Sequence, residues 1–235
     1  MHKLTMSSIC IITARGGSKR IPRKNLKPFL GKPILEYAIE AALQSKLFET
    51  VMVSTDDDEI AEVGKRAGAE VPFRRSDDNS SDYASTADVL AEVLERYAAQ
   101  GQNFEFACCC YPTAVFASAE KLVAATQELV AKDADSIFPV APYSTPILRA
   151  FRIEDEKLQF VWPEHEFSRS QDLGECYYDT GQFYIFRVQP FLRARSILCG
   201  KTVPFIVSPM EAQDIDDELD WRMAELKYQL LKENQ

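Results

Sequence analysis

ICIITARGGSKRIPRKNLKPFLGKPILEYAIEAALQS, residues 9–45, is the stretch on which the fold turns. Its first six residues, ICIITA, are apolar and rich in β-branched side chains, the pattern of a strand buried on both faces. Further on, Ile34, Leu35, Ala38, Ile39, Ala42 and Leu43 recur at helical spacing. Residues 34–45 therefore read as an amphipathic helix, with Pro33 suited to its first turn. Between the two lies RGGSKRIPRKNLK, residues 15–27, with six basic residues and no acidic one. Strand, glycine-bearing basic loop and helix together form the opening of an α/β sheet.

The rest of the chain continues the alternation. Residues 51–54 read as a second strand, and Asp56, Asp57 and Asp58 open a helix ending near Gly68, with acids where the helix dipole favours them. Residues 71–73 give a short strand. Ser85 and Asp88 resemble a capping box for a helix to about Gln100. A strand at 106–111, a helix at 118–132 and a strand at 136–140 follow. Strands alternating with helices over this length predict an α/β fold, a doubly wound and mostly parallel sheet covered on both faces. Its ligand should sit beyond the carboxyl ends of the strands. From Pro142 to about Arg187 the pattern changes to prolines, aromatics and extended runs such as 148–153, a β-rich excursion. Residues 202–207 return to the sheet, and 217–232 close as an amphipathic helix through Leu219, Met223, Leu226 and Leu230. The expected organisation is one domain over 1–235 with a small inserted subdomain at 142–190.

Composition narrows the function. With 235 residues and 46% hydrophobic content, one compact core is within reach. No apolar run approaches the roughly 18 residues that span a bilayer. The N-terminal run lacks the small-residue cleavage site of a signal peptide, so a cytoplasmic location is expected. Cys108, Cys109 and Cys110 are consecutive in a strand-like run and point alternately to opposite faces, so they cannot gather on one metal. They read as buried, reduced thiols, like Cys10. The net charge of −9 disfavours nucleic acid and anionic membranes as partners. A basic loop on an acidic protein points instead to a small, highly charged anion.

Four clusters could carry chemistry. Arg15, Gly16, Gly17, Ser18, Lys19 and Arg20, followed by Arg23, Lys24 and Asn25, form the first. Glycines admit backbone N–H groups close to phosphate oxygens, and Arg and Lys supply charge. Neither the GxxxxGK[ST] nor the GxGxxG spacing is present. In the second, Asp214 and Asp216 project from one side of an extended segment and offer the oxygen ligands that Mg²⁺ accepts alongside water and phosphates. The competing reading is helix capping and solvated charge, since Asp217, Glu218 and Asp220 follow. The third joins Arg74 and Arg75 to the hydroxyls of residues 81–86, suited to a base or ribose, or else to a plain surface. The fourth places Arg169 near residues 179–184, able to grip a carboxylate beside a sugar pocket or to serve as an interface loop.

The motif order itself is distinctive. ITARGGSKRIPRKNLKPFLGKP, VMVSTDDDEIAEVGKRAGAEV, PFRRSDDNSSDYAST, CCYPTA, SRSQDL, GQFYIF and AQDIDDELDW together resemble the acylneuraminate cytidylyltransferase family over about residues 8–232. RSQDL, DTGQFY and the tyrosine of YPTA are most similar to its pseudaminic acid cytidylyltransferases. The resemblance implies a Rossmann-like nucleotidyltransferase, cytoplasmic and homodimeric through the 142–190 excursion. It implies CTP and Mg²⁺, and attack of a nine-carbon acidic sugar's anomeric hydroxyl on the α-phosphorus. By this likeness Arg15, Gly16, Gly17, Ser18, Lys24 and Asn25 bind the triphosphate, with Lys24 at the α-phosphate. Arg74 and Thr86 face the base or ribose, and Asp214 and Asp216 hold metal. Tyr111, Arg169, Gln182 and Tyr184 fall in the sugar-facing motifs. Where sialic acid enzymes usually carry Gln and Asn, this chain has Tyr111 and Thr180, which favours pseudaminic acid over N-acetylneuraminate. Legionaminate and 3-deoxy-manno-octulosonate are the other acceptors of the same class. A non-catalytic nucleotide-binding protein on the same fold is the alternative of a different class. All of these readings require the cations near the front of the chain and the acids near its back to meet.

Overall fold

The computed structural model describes residues 7–81 and 83–233. The N-terminal residues read above against a signal peptide lie largely outside them. Seven strands form the central sheet: β1 (Ser8–Thr13), β2 (Thr50–Ser54), β3 (Phe106–Cys110), β4 (Ser136–Pro142), β5 (Tyr177–Asp179), β6 (Phe183–Arg187) and β7 (Thr202–Ile206). Their order across the sheet is β7-β4-β6-β3-β1-β2, with β5 paired to β4 off this path. β1 runs parallel to β2 and β3, and β7 parallel to β4, whereas β6 is antiparallel to both its neighbours. This is the mostly parallel, doubly wound sheet that the sequence predicts.

Besides the single turn Asp77–Ser80, the described residues form the helices α1 (Ile34–Ser45), α2 (Asp58–Arg66), α3 (Thr86–Ala99), α4 (Ala119–Ala131), α5 (Val188–Ala194) and α6 (Glu218–Glu233). Pro33 takes the N-cap position of α1, one residue ahead of the expected first turn. Ser85 and Asp88 form a complete capping box at the start of α3, each side chain binding the other's backbone N–H. Leu35, Ile39, Ile60, Leu122 and Leu129 of α1, α2 and α4 cover one face of the sheet. Leu90, Leu94, Tyr97 and Phe191 of α3 and α5 cover the other. The cysteine triplet divides as the pleat requires, with Cys108 and Cys110 in the first layer beside Cys10 and Cys109 in the second.

Three expectations change. Residues 71–73 are not a strand: pairing stops at one bridge between Met52 and Glu70. Pro72, two residues on, lacks the N–H that would continue the ladder. The excursion is also tighter than 142–190. It leaves at the end of β4 and carries an antiparallel hairpin of Phe151–Glu154 with Lys157–Phe160, but β5 and β6 belong to the central sheet.

The third correction concerns α6. Its expected apolar seam faces outward, with Leu219 68% and Leu226 55% exposed. The buried face is Trp221 and Ala224, backed by Tyr228 and Leu231, around Phe29 and Ile215. Phe29 meets Trp221 and Tyr228 edge-on, at 5.6 and 5.8 Å between ring centroids. Aromatic area outweighs leucine count here, because α6 docks on the basic-loop segment rather than on the sheet. Trp221→Ala should cost about 3–5 kcal/mol in urea unfolding, whereas Leu226→Ala should stay within about 0.5 kcal/mol of the parent.

Candidate active site

The basic loop and the acid pair each follow a strand at its carboxyl end, and two further loops join them there. Arg15 follows β1, Asp56 follows β2, Tyr111 follows β3, and Asp214 lies on the loop after β7. Because β1, β2, β3, β4 and β7 all run one way, these loops share a rim. A cavity of about 400 Å³ opens there, lined by Arg15, Ser18, Lys24, Asn25, Asp214 and Asp216, together with Lys19, Arg20, Tyr111 and Thr113. The front and back of the chain do meet.

The basic loop is held by acids that follow β2. Gly16 N–H donates to Asp56 Oδ1 at 2.8 Å. A Cβ at Gly16 would lie 2.8 Å from Asp57 Oδ2, so only glycine fits this approach. Gly17, by contrast, faces open space. Arg23 binds Asp57 Oδ2 at 2.5 Å and also pairs with Glu59. Asp57 in turn caps α2 by accepting from Ile60 N–H at 3.0 Å. Arg23 adopts a left-handed conformation (φ 55°) that turns the chain into the Lys24–Leu26 turn and points Lys24 into the cleft. Asn25 is buried and donates from Nδ2 to the Arg15 carbonyl at 2.9 Å, so it shapes the loop from within.

Lys24 Nζ donates to the Ile215 carbonyl at 2.6 Å, which brings the ammonium within the electrostatic reach of Asp214 and Asp216. Arg20 reaches Asp216 Oδ1 at 2.6 Å. Burial lowers the Lys24 pKa, against the pull of Asp216 and Asp214. Asp214 opens to the cleft, yet desolvation by the surrounding wall, then the Asp216 charge, raises its carboxyl above the ordinary range. Gly181 (φ 63°) packs its turn beneath this carboxylate. Among the described residues no three His, Cys, Asp or Glu side chains cluster to hold a metal ion. Two convergent carboxylates leave most coordination positions to phosphate oxygens and water, a donor set that fits Mg²⁺ and does not fit zinc.

A second cavity of about 250 Å³ adjoins the first and shares Thr13, Arg15 and Tyr111 with it. Its remaining lining includes Arg75, Asn79, Ser81 and Thr86. Here the structure corrects the choice between the paired arginines. Arg75 is buried, with Nε on Ser54 Oγ at 3.1 Å and Nη2 on the Ser54 carbonyl at 2.6 Å. Arg74 turns outward and pairs with Asp58 on α2. Extended backbone alternates its side chains, so only one of two adjacent arginines can enter the pocket. Thr86 Oγ1 lies 3.0 Å from the Tyr111 hydroxyl, whose pKa burial pushes up to about 12.

The remaining sugar-side candidates do not reach the cleft as expected. Gln182 is buried, and its Nε2 donates to the Glu211 carbonyl at 2.7 Å, tying β6 to the acid-bearing loop. Tyr184 packs in the core, its hydroxyl on Asp179 Oδ2 at 2.7 Å and its ring 5.6 Å from that of Tyr111. Arg169 lies exposed on the excursion and closes on its own neighbour, Asp172, through Nε and Nη2 at 2.7 and 3.1 Å. Sequence reading passed over Thr13, Thr113 and the positioning acid Asp56, and named Arg75 only together with Arg74. The signal for Asp56 was its place directly after β2, opposite the first basic loop.

The cytidylyltransferase family model matches residues 9–198. The pseudaminic acid cytidylyltransferase of Campylobacter jejuni subsp. jejuni serotype O:2 is 37% identical over 97% of this chain and 99% of its own. The chain belongs to the cytidylyltransferase family. The CMP-N,N'-diacetyllegionaminic acid synthase of Legionella pneumophila is a more distant relative of this cytidylyltransferase, 31% identical over 97% of the chain and 99% of its own. A solved CMP-2-keto-3-deoxy-manno-octonic acid synthetase complexed with CTP shares the fold, with a TM-score of 0.68 at 17% identity over 97% of this chain and 99% of that one.

The raised Asp214 pKa gives a stability test. Above its folded pKa the carboxylate is charged in both states but disfavoured in the folded one, so its cost is fully present at neutral pH. The cost disappears as pH falls below the unfolded value, where both states are protonated. Asp214→Asn should therefore raise Tm at pH 7.5, and the gain should shrink to nothing near pH 3.

Proposed function

We propose that this cleft transfers CMP from CTP to pseudaminic acid, giving CMP-pseudaminic acid and pyrophosphate. The observation that carries the proposal is the meeting of Lys24 with Asp214 and Asp216 at the carboxyl rim, fixed by the Lys24–Ile215 hydrogen bond. Full-length similarity to an enzyme of that name supports the choice of acceptor. Residues of the basic loop would cradle the triphosphate: Arg15 and Ser18 line its cavity, Gly17 leaves open space beside them, and Gly16 lets the loop close on Asp57. Lys24 would face the α-phosphate. The adjoining cavity would take cytidine, with Arg75 and Thr86 on its wall.

In this reading the anomeric C2 hydroxyl forms the new bond to the α-phosphorus in line with departure of pyrophosphate. Such chemistry depends on positioning and charge stabilisation more than on covalent catalysis. Asp214 and Asp216 would hold Mg²⁺, which when bound neutralises charge on the triphosphate and the leaving group. Tyr111, on the wall shared by both cavities, would stand where the triphosphate meets the cytidine. Arg169 would join the acceptor side only from outside its own chain's cleft.

The assembly belongs to the same proposal. A homodimer through the excursion would cover Ile153 and Leu158, which are 75% and 68% exposed on the hairpin. Dependence on CTP favours the cytoplasm as its location.

Two experiments test the assignment. Enzyme, CTP and Mg²⁺ incubated with pseudaminic, legionaminic, N-acetylneuraminic and 3-deoxy-manno-octulosonic acids should release pyrophosphate and yield a CMP-sugar mass with the first in preference. Product from another acid alone would reassign the acceptor, and none from any would sink the reading. Asp216→Asn should lower turnover by about 10²–10³-fold while the fold persists, and an unchanged rate would remove its role. Separately, Arg75→Ala should raise the KM for CTP roughly tenfold or more, because it removes a charged contact from the nucleotide side. Arg74→Ala should leave that KM within about twofold, as for other exposed ion pairs.

A further inference from the structure

The loop that presents Asp214 and Asp216 has no regular structure of its own beyond the short Pro209–Glu211 turn. Its shape comes from one face of α6. Asp220, Ala224 and Lys227 recur at spacings of four and three, which stacks them on one side of the helix. Lys227 Nζ donates to the Pro209 carbonyl at 3.2 Å, the Ala212 carbonyl at 2.7 Å and Gln213 Oε1 at 3.0 Å. Three acceptors match the three N–H bonds of an ammonium. Asp220 completes the clamp from the helix start. Its Oδ2 accepts from the N–H groups of Asp216 and Asp217 at 3.0 and 3.1 Å, and its Oδ1 accepts from Gln213 Nε2 at 3.1 Å.

From this geometry we infer that Lys227 and Asp220 are positioning residues, which set the separation and direction of the Asp214–Asp216 pair for its divalent cation. The inference rests on reading that pair as the Mg²⁺ holder. Burial lowers the Lys227 pKa with no carboxylate offsetting it, so the ammonium costs stability where it stands. A residue needed only to fasten α6 would not require a charge there, because Trp221 and Tyr228 already supply apolar contact. What the ammonium does supply is a tie to two backbone carbonyls and the side chain immediately before Asp214. Asp220 fixes the backbone on the far side, at Asp216 itself. Between them the metal-facing segment is held at both ends, while Gln182 holds its middle approach through Glu211. Outer partners that orient ligands in this way are worth about 10–100-fold in metal affinity.

The test uses Mn²⁺ as the probe, titrated by electron paramagnetic resonance into full-length enzyme with a non-hydrolysable CTP analogue. Lys227→Met and Asp220→Ala should each weaken Mn²⁺ binding about 10–100-fold, and Asp220→Asn, which keeps one acceptor oxygen, should recover part of the loss. Amide exchange at residues 213–217, measured without metal or nucleotide, should quicken in Lys227→Met and Asp220→Ala. Arg222→Ala, exposed on the same helix, should alter neither readout. Variants that bind Mn²⁺ within about twofold of wild type would overturn the positioning role while leaving the site intact. Failure of the wild-type enzyme to bind Mn²⁺ with the analogue would instead remove the reading of the acid pair, and this inference with it. If Lys227→Met does not fold, the Asp220 pair alone decides.

Discussion

One hydrogen bond spans almost the whole sequence: the Lys24 ammonium on the Ile215 carbonyl, 191 residues later. It closes the cleft by bringing the cationic loop after the first strand to the acids before the last helix. Neither side is comfortable alone. The loop gathers like charges, and the opposite wall sets two carboxylates side by side. Each relieves the other only if the backbone holds them at hydrogen-bonding distance. Phe29, Trp221 and Tyr228 do this by packing the segment after the basic loop against the last helix.

The electrostatic arrangement is therefore deliberately unbalanced. Lys24 is lowered by burial and Asp214 is raised by burial and by Asp216, so both groups sit where the protein alone does not suit them. An anionic triphosphate complements the cationic wall, and the acid pair offers the oxygen donors that a hard dication accepts. Such sites exchange folded-state stability for a ready-made charge pattern. The surrounding acids at 56, 57 and 59 neutralise the loop from behind, so its remaining positive potential is directed into the cavity.

Much of this could be read in the amino-acid order. The β1–loop–α1 unit, the capping box at Ser85 and the alternation of the cysteine triplet rest on local periodicity, and local periodicity is written in the chain. The meeting of Lys24 with Asp214 and Asp216 followed from the rule that parallel strands deliver their loops to one rim. What escaped depended on which of two neighbouring options packing selects. Arg74 and Arg75 are chemically identical, and only the turn after Pro72 decides which points inward. The last helix offered two apolar stripes, and the aromatic one won because its partner was Phe29 rather than the sheet. Gln182 and Tyr184 carry functional-looking chemistry that tertiary contacts have engaged elsewhere, with Glu211 and Asp179.

The reversed direction of β6 has a consequence for the excursion. Since β4 ends and β6 begins at the same rim, the chain from 143 to 176 departs and comes home on the cleft side, and only the three-residue β5 that follows it rejoins the central sheet before β6. Length and content can change in that interval without shifting the register of any nucleotide-facing strand. That interval is thus a detachable cassette, free to diverge while the strands that carry the cleft stay fixed.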